Sequence, residues 1–125
     1  MLTGMRSVLV VDDSMLIRHT VCRWLEARGF TVTSATNGLE ALHCLAECLP
    51  DLVITDLQMP KMSGGELIAA LKAHPATSAI PIVVLASHQS ATIEPPLARN
   101  QARIFKDIDI ESQLEHALDK ALARA

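Results

Sequence analysis

The chain has 125 residues, a net charge of −3 at pH 7 and 50% hydrophobic residues, which predicts one globular domain spanning residues 1–125. Lysine and arginine are scattered rather than clustered, which argues against binding to nucleic acid. No apolar stretch approaches the ~20 residues of a membrane span, and the first residues lack the pattern of a signal peptide. We therefore expect a cytoplasmic protein.

Short apolar runs alternate with amphipathic stretches along the chain, which is typical of a parallel α/β sheet. The first run, Ser7–Val11, predicts a buried strand, followed by a helix over about residues 14–28 that Gly29 ends. The second strand, Thr31–Ala35, has the polar alternation of an edge strand with one face in water.

The middle of the chain repeats this pattern. Asn37 and Gly38 begin a second helix, which is expected to stop at Pro50. Its predicted buried face consists of Leu39, Leu42, Ala46 and Leu49. Leu52–Thr55 predicts a third strand, a loop and a third helix follow, and the uniformly apolar Ile82–Leu85 predicts a central fourth strand.

Two prolines follow the fourth strand. An interior proline costs a helix ~3 kcal/mol or more, and the residue before it is pushed out of the α region. Pro95 and Pro96 therefore restrict the fourth helix to about residues 96–100. A fifth strand is expected at about Arg103–Lys106, and a last helix from about Ile110. Right-handed crossovers then give a flavodoxin-like doubly wound (βα)5 fold of strand order 2-1-3-4-5, with a shortened or irregular fourth helix.

Charged side chains stand at the carboxyl ends of three predicted strands. They are Asp12 and Asp13 after the first strand, Asp56 after the third, and Lys106 at the end of the fifth. Because function gathers outside the carboxyl ends of parallel strands, we expect these groups to meet at one edge. Mg²⁺ takes one or two carboxylates in an octahedral set of oxygens. Asp13 and Asp56 are thus predicted direct ligands, Asp12 a ligand through water, and the carbonyl of Gln58 a further ligand.

Each of these residues alone has a simpler structural explanation. Asp13 would cap a helix, Asp56 would belong to a turn, and Lys106 would be a solvated strand end. Three acids and one base at the same edge are not explained by capping. A carboxylate can also act as a nucleophile and form an aspartyl phosphate, so the joint pattern favours a site for a divalent metal and a phosphoryl group.

The motifs around these residues resemble one known family. Val10–Ser14 followed by Arg18, Ala35–Leu42, and Asp56–Pro60 followed by Gly64 are similar to the receiver domain of two-component response regulators, in particular to chemotaxis regulators. The similarity covers nearly the whole chain.

The resemblance implies a role for each charged group. Asp56 would be the phosphoacceptor, Asp12 and Asp13 would hold Mg²⁺ or Mn²⁺, and Lys106 would contact the phosphoryl group. The implied partners are a sensor histidine kinase or a phosphotransfer domain, together with a second copy of the chain or an effector domain. Contact with a membrane or with nucleic acid is not expected of this domain.

The sequence departs from the family pattern where the family has its switch. Ala86 stands at the usual serine or threonine, and Ser87, one residue later, faces the other way. Arg103 replaces an aromatic residue, and Asp107 the proline after the lysine. A hydrogen bond to a charged group is worth roughly 1.5–3 kcal/mol, and turning a two-state equilibrium over takes about 5.5 kcal/mol. Without a hydroxyl at Ala86, much of the free energy that would favour the switched state on phosphorylation is missing. The sequence therefore indicates an atypical switch.

Two functions are compatible with this pattern. One is a phosphoaccepting receiver, which is not an enzyme beyond Mg²⁺-dependent self-phosphorylation and autodephosphorylation. The other is a phosphorylation-independent docking or dimerisation module. An independent hydrolase is disfavoured, since the chain has no glycine-rich nucleotide loop. The resemblance further implies that Gln58 and His88 flank the phosphoryl group and tune its lifetime, although His88 is equally explained as an ordinary loop histidine.

Overall fold

The computed structural model of the protein describes residues 6–57, 59, 62–86, 101–105 and 109–122. One sheet of parallel strands has the order β2-β1-β3-β4-β5. The strands are β1 Ser7–Val11, β2 Thr31–Ala35, β3 Leu52–Asp56, β4 Ile82–Ala86 and β5 Gln101–Phe105. The helices of the described part are α1 Met15–Glu26, α2 Gly38–Glu47, α3 Gly64–Ala73 and a last helix, Ile110–Leu122. The predicted flavodoxin-like fold and strand order are confirmed, whereas the short helix expected at residues 96–100 lies outside the described residues.

Side-chain caps set the points at which the helices begin. Ser14 accepts a hydrogen bond from the backbone at the start of α1, and Asn37 does the same for α2. At α3, Ser63 and Glu66 form a reciprocal capping box, which satisfies two backbone donors at once. Gly29 adopts φ 91° after α1, a conformation that glycine reaches without strain. The three N-caps, Ser14, Asn37 and Ser63, each follow the carboxyl end of a strand, either within a few residues or after one loop. They therefore shape the edge of the sheet where the acids stand.

Helices cover both faces of the sheet. α1 and the last helix pack on one face through side chains such as Leu25 and Leu114, and α2 and α3 pack on the other through Leu45 and Leu67. Each fully buried leucine contributes roughly 1.5–3 kcal/mol. The central strands β1, β3 and β4 are therefore buried on both sides, and their ends are held rigidly. Within the described residues, no helix is long and apolar enough to cross a membrane.

The predicted buried face of α2 is wrong. Leu39 is 53% exposed, Leu49 is 47% exposed and Ala46 is also exposed, while only Leu42 of the predicted set is half-buried and packs against the core. The helix ends at Glu47 rather than at Pro50. Its buried residues are Gly38, Ala41 and Leu45. Most of this helix is apolar, so periodicity alone could not select the face that turns to the sheet.

Three strand boundaries also differ from the prediction. β3 and β4 each extend one residue further, to Asp56 and Ala86, and β5 begins two residues earlier, at Gln101. The ladder between β4 and β5 pairs Ile82 with Gln101 and Ala86 with Phe105. Pairing with a neighbouring strand thus extends β5 to a polar residue that the apolar pattern did not include.

Candidate metal and phosphoryl site

Three aspartates meet at the carboxyl ends of two neighbouring strands. β1 and β3 pair directly, with Val11 opposite Thr55, so Asp12 and Asp13 follow one strand beside Asp56, the last residue of the other. One carboxylate oxygen from each aspartate lies within 4.8 Å of the other two. The structure therefore brings together the three acids that the sequence placed at this edge.

Asp12 is held by hydrogen bonds to both its backbone and its carboxylate. It is fully buried, and its backbone N–H donates to the carbonyl of Ala35 at the end of β2, at 3.1 Å. Its Oδ1 accepts from the backbone N–H of Ser14 at 2.8 Å, and its carbonyl accepts from Nη1 of Arg18 at 2.9 Å. Both the backbone and the carboxylate of Asp12 thus have fixed directions.

Asp56 is held from its own strand and from the loop that follows. It is only 5% exposed, its Oδ1 accepts from the backbone N–H of Leu57 at 2.8 Å, and its carbonyl accepts from the Thr55 hydroxyl at 2.9 Å. The loop then folds back, because the N–H of Gly64 donates to the carbonyl of Leu57 at 2.8 Å. The start of α3 is therefore packed against the backbone of the predicted phosphoacceptor.

The donor set of this cluster fits Mg²⁺ or Mn²⁺. All three groups offer hard carboxylate oxygens, and Asp13 is exposed, which leaves the cluster open to water and to a phosphoryl oxygen. Oxygens around a six-coordinate Mg²⁺ lie about 3 Å apart when adjacent and about 4.2 Å apart when opposite. The carboxylate oxygens of the three aspartates lie within 4.8 Å of one another, which is close to these distances. A divalent cation held by Asp12, Asp13 and Asp56 would also offset the repulsion among three negative charges.

The remaining predicted site residues fall into two groups. Ala86 ends β4 and is 1% exposed, and it belongs to the core that faces α2 and α3. Arg103 lies in β5 opposite Val84 and is half-buried. Its Nε is buried and has no hydrogen-bond partner among the described residues. The other predicted residues lie outside the described part of the chain: Gln58, Ser87, His88, Lys106 and Asp107.

Two residues of the site had no individual role in the sequence analysis. Arg18 binds the backbone of Asp12, and Gly64 approaches the backbone of Asp56 so closely that it has no room for a side chain. The sequence does carry a signal for Arg18, because an arginine one turn into the helix after an acidic pair can reach back to the backbone of that pair. It carries none for Gly64, because a glycine at the start of a helix is too common to stand out.

A cavity of about 590 Å³ lies away from this cluster and includes none of the three aspartates. It is lined by residues that stand before β1 and β2 and on two helices, among them Arg6, Trp24, Phe30 and Leu118. The acids therefore stand outside this cavity.

The fold and the acidic edge define a class of protein that a sequence comparison identifies directly. Residues 8–118 match the family described as the response regulator receiver domain. Since the match covers most of the 125 residues, the chain belongs to this family. Receiver domains bind Mg²⁺ at an acidic pocket, are generally not enzymes, and interact with histidine kinases or phosphotransfer proteins and with effector domains.

Solved structures and curated proteins give the same result. The chemotaxis response regulator CheY4 of Vibrio cholerae is 29% identical with a TM-score of 0.76, over 97% of this chain and 98% of that one. The signal receiver domain of a signal transduction histidine kinase from Syntrophus aciditrophicus is 26% identical with a TM-score of 0.80, over 94% and 91%.

The curated relatives are longer proteins. The gliding motility regulatory protein of Myxococcus xanthus is 41% identical over 80 residues, which is 64% of this chain and 10% of that protein. Across three such relatives the matched segment spans 10 to 36% of their length. The chain is thus similar to one domain of these proteins.

Proposed function

We propose that this receiver domain accepts a phosphoryl group on Asp56 from a phosphohistidine of a sensor histidine kinase or phosphotransfer domain, in the cytoplasm. The observation that carries the proposal is the convergence of three carboxylate oxygens within 4.8 Å at one sheet edge. Asp12, Asp13, Asp56 and the carbonyl of Gln58 would hold Mg²⁺ or Mn²⁺. A second copy of the chain or an effector domain would receive the signal.

The chemistry is a transfer between two nucleophiles. A carboxylate oxygen of Asp56 attacks the phosphorus, the bond from phosphorus to the histidine nitrogen breaks, and an acyl phosphate forms while the nitrogen keeps the electron pair. A cation held there would supply positive charge to the phosphoryl oxygens. Lys106, which lies outside the described residues, would do the same. The backbone N–H of Leu57 fixes the rotation of the Asp56 carboxylate. Autodephosphorylation by water is the only other reaction proposed.

Asp56→Asn is expected to abolish phosphorylation, because an amide cannot form the acyl phosphate. The protein is incubated with acetyl phosphate and Mg²⁺, and its intact mass is measured. We expect a phosphoryl mass increment in the wild type and none in Asp56→Asn or in EDTA. Asp51→Asn, at an exposed position before β3, is the matched control and keeps the increment. Absence of the increment from the wild type would contradict the proposal.

We further propose that the switch is atypical. Ala86 carries no hydroxyl at the end of β4 and is buried, so it has no group that could follow a phosphoryl oxygen. Arg103 brings a half-buried charged side chain into β5, at the position where the family has an aromatic residue. Both observations support a local response to phosphorylation that is weakly transmitted to β5 and the last helix.

Beryllofluoride, which mimics the phosphoryl group, tests this switch by amide NMR spectra in Mg²⁺. We expect shifts near Asp12, Asp13 and Asp56, and small shifts in the last helix. Ala86→Ser, which adds one hydroxyl to a small buried side chain, is expected to extend the shifts to β5. Broad shifts in the last helix of the wild type would contradict the atypical switch. No shifts near the three aspartates would favour the docking module that needs no phosphorylation.

A further inference from the structure

Arg18 bridges α1 and the turn that carries the acidic pair. It lies in the second turn of the helix and is half-buried. Its Nη1 donates a hydrogen bond of 2.9 Å to the backbone carbonyl of Asp12. That carbonyl belongs to the peptide bond that joins Asp12 to Asp13, so the guanidinium holds the one peptide on which the directions of both side chains depend.

The two acids differ in how they are otherwise held. Asp12 has a bond from the Ser14 N–H to its Oδ1 and a backbone bond to Ala35. The Asp13 carboxylate is exposed and has no hydrogen bond to any other described residue. Because a peptide unit is planar, fixing the Asp12 carbonyl also fixes the direction in which the Asp13 backbone leaves the turn. The Asp13 carboxylate is thus positioned mainly through this peptide.

We propose that Arg18 is a positioning residue for the divalent cation: it touches neither the cation nor the phosphoryl group, and it holds the Asp12–Asp13 peptide so that both carboxylates point to the ion. This inference rests on the proposed cation site at Asp12, Asp13 and Asp56. Groups that orient the ligands of a metal commonly change its affinity 10- to 100-fold when removed. One hydrogen bond to a backbone carbonyl suggests the lower end of that range, about tenfold.

The charge of Arg18 would act in the opposite direction. A guanidinium close to a cation site repels the cation, so a purely electrostatic role would make Mg²⁺ bind more tightly once the charge is removed. A positioning role predicts the reverse, that Mg²⁺ binds more weakly once the Arg18 side chain is removed. The sign of the change in Mg²⁺ affinity therefore separates the two roles.

The test compares Arg18→Met and Arg18→Lys with the wild type, in a Mg²⁺ titration followed by amide NMR spectra without phosphoryl donor. We expect about tenfold weaker Mg²⁺ binding in Arg18→Met and an intermediate loss in Arg18→Lys, whose ammonium keeps a donor but lacks the planar fork. In EDTA, the amide hydrogen of Ser14, which is bonded to Asp12 Oδ1, is expected to exchange with solvent faster in Arg18→Met than in the wild type. With acetyl phosphate, the half-saturating Mg²⁺ concentration rises while the rate at saturating Mg²⁺ stays close to that of the wild type.

Arg23→Met is the matched control, because Arg23 is an exposed arginine of the same helix, and it is expected to leave Mg²⁺ affinity unchanged. Unchanged or tighter Mg²⁺ binding by Arg18→Met would overturn the inference. A lower free energy of unfolding in Arg18→Met with no change in its Mg²⁺ affinity would overturn it as well. A wild type that binds Mg²⁺ but accepts no phosphoryl group would end the proposed function and leave the role of Arg18 standing. A wild type that binds no Mg²⁺ would overturn both.

Discussion

Gly64→Ala is expected to lower the free energy of unfolding by roughly 3 kcal/mol, the upper end of the usual cost of overpacking. A Cβ at this position would overlap the carbonyl oxygen of Asp56 and would lie 2.8 Å from both the carbonyl carbon of Asp56 and the Cα of Leu57. All of these are backbone atoms, so no side chain can rotate away. Either α3 must withdraw or the end of β3 must move, and β3 is held between β1 and β4.

The same displacement is expected to slow phosphorylation. The N–H of Gly64 binds the carbonyl of Leu57, and the N–H of Leu57 binds the carboxylate of Asp56. A shift of α3 therefore reaches Asp56, the proposed phosphoacceptor, through two hydrogen bonds. Urea unfolding followed by the fluorescence of Trp24, the single tryptophan, measures the loss of stability. The rate of mass increment with acetyl phosphate measures the loss of activity.

Gly65→Ala is the matched control, one residue further along α3. A Cβ there would meet only the Ser63 hydroxyl, at an ordinary 3.8 Å, and alanine favours a helix over glycine by up to about 1 kcal/mol. We expect Gly65→Ala to stabilise the protein slightly and to leave phosphorylation unchanged. Equal stability of the two alanine variants would show that α3 can withdraw at no cost.

The first two strands and the starts of α1 and α2 were predictable because short-range signals determine them. Ser7–Val11 and Thr31–Ala35 have the predicted boundaries, since each run ends where charged or turn-forming residues begin. The meeting of Asp12, Asp13 and Asp56 was also predictable, because strand order alone brings the ends of β1 and β3 side by side. The cluster of three aspartates therefore followed from topology rather than from local pattern.

Close contacts between distant segments were not predictable from the pattern. The face that α2 buries depends on how its start packs: Gly38 lies against Met62, where a Cβ would be 2.7 Å from that side chain. The approach of Gly64 to Asp56 likewise depends on how the loop between β3 and α3 folds back. An apolar helix such as α2 offers several plausible faces, and only packing selects one of them.

Asp12→Asn is expected to stabilise the protein without Mg²⁺ and to destabilise it relative to the wild type with Mg²⁺. Two like charges separated by 4.8 Å, the limit that encloses the cluster, repel with on the order of 3 kcal/mol at an effective dielectric constant of 20. Asparagine removes one charge and keeps the Oδ1 that accepts from the Ser14 N–H. Because that hydrogen bond survives, we expect a net gain of about 1–2 kcal/mol in EDTA.

Mg²⁺ is expected to reverse the order, because the proposed site would bind it in the folded wild type and not in the unfolded chain. At a concentration of 100 times its dissociation constant, a ligand adds about 2.7 kcal/mol to the free energy of unfolding. The variant, which has lost one charged ligand, gains much less. Urea unfolding of the wild type and of Asp12→Asn, each in EDTA and in Mg²⁺, gives the four free energies of unfolding. Asp119 is an exposed acid on the last helix, and Asp119→Asn is expected to have the stability of the wild type in both conditions. If Asp12→Asn were less stable by the same amount in EDTA and in Mg²⁺, Asp12 would serve the turn alone, and the three acids would not form a cation site.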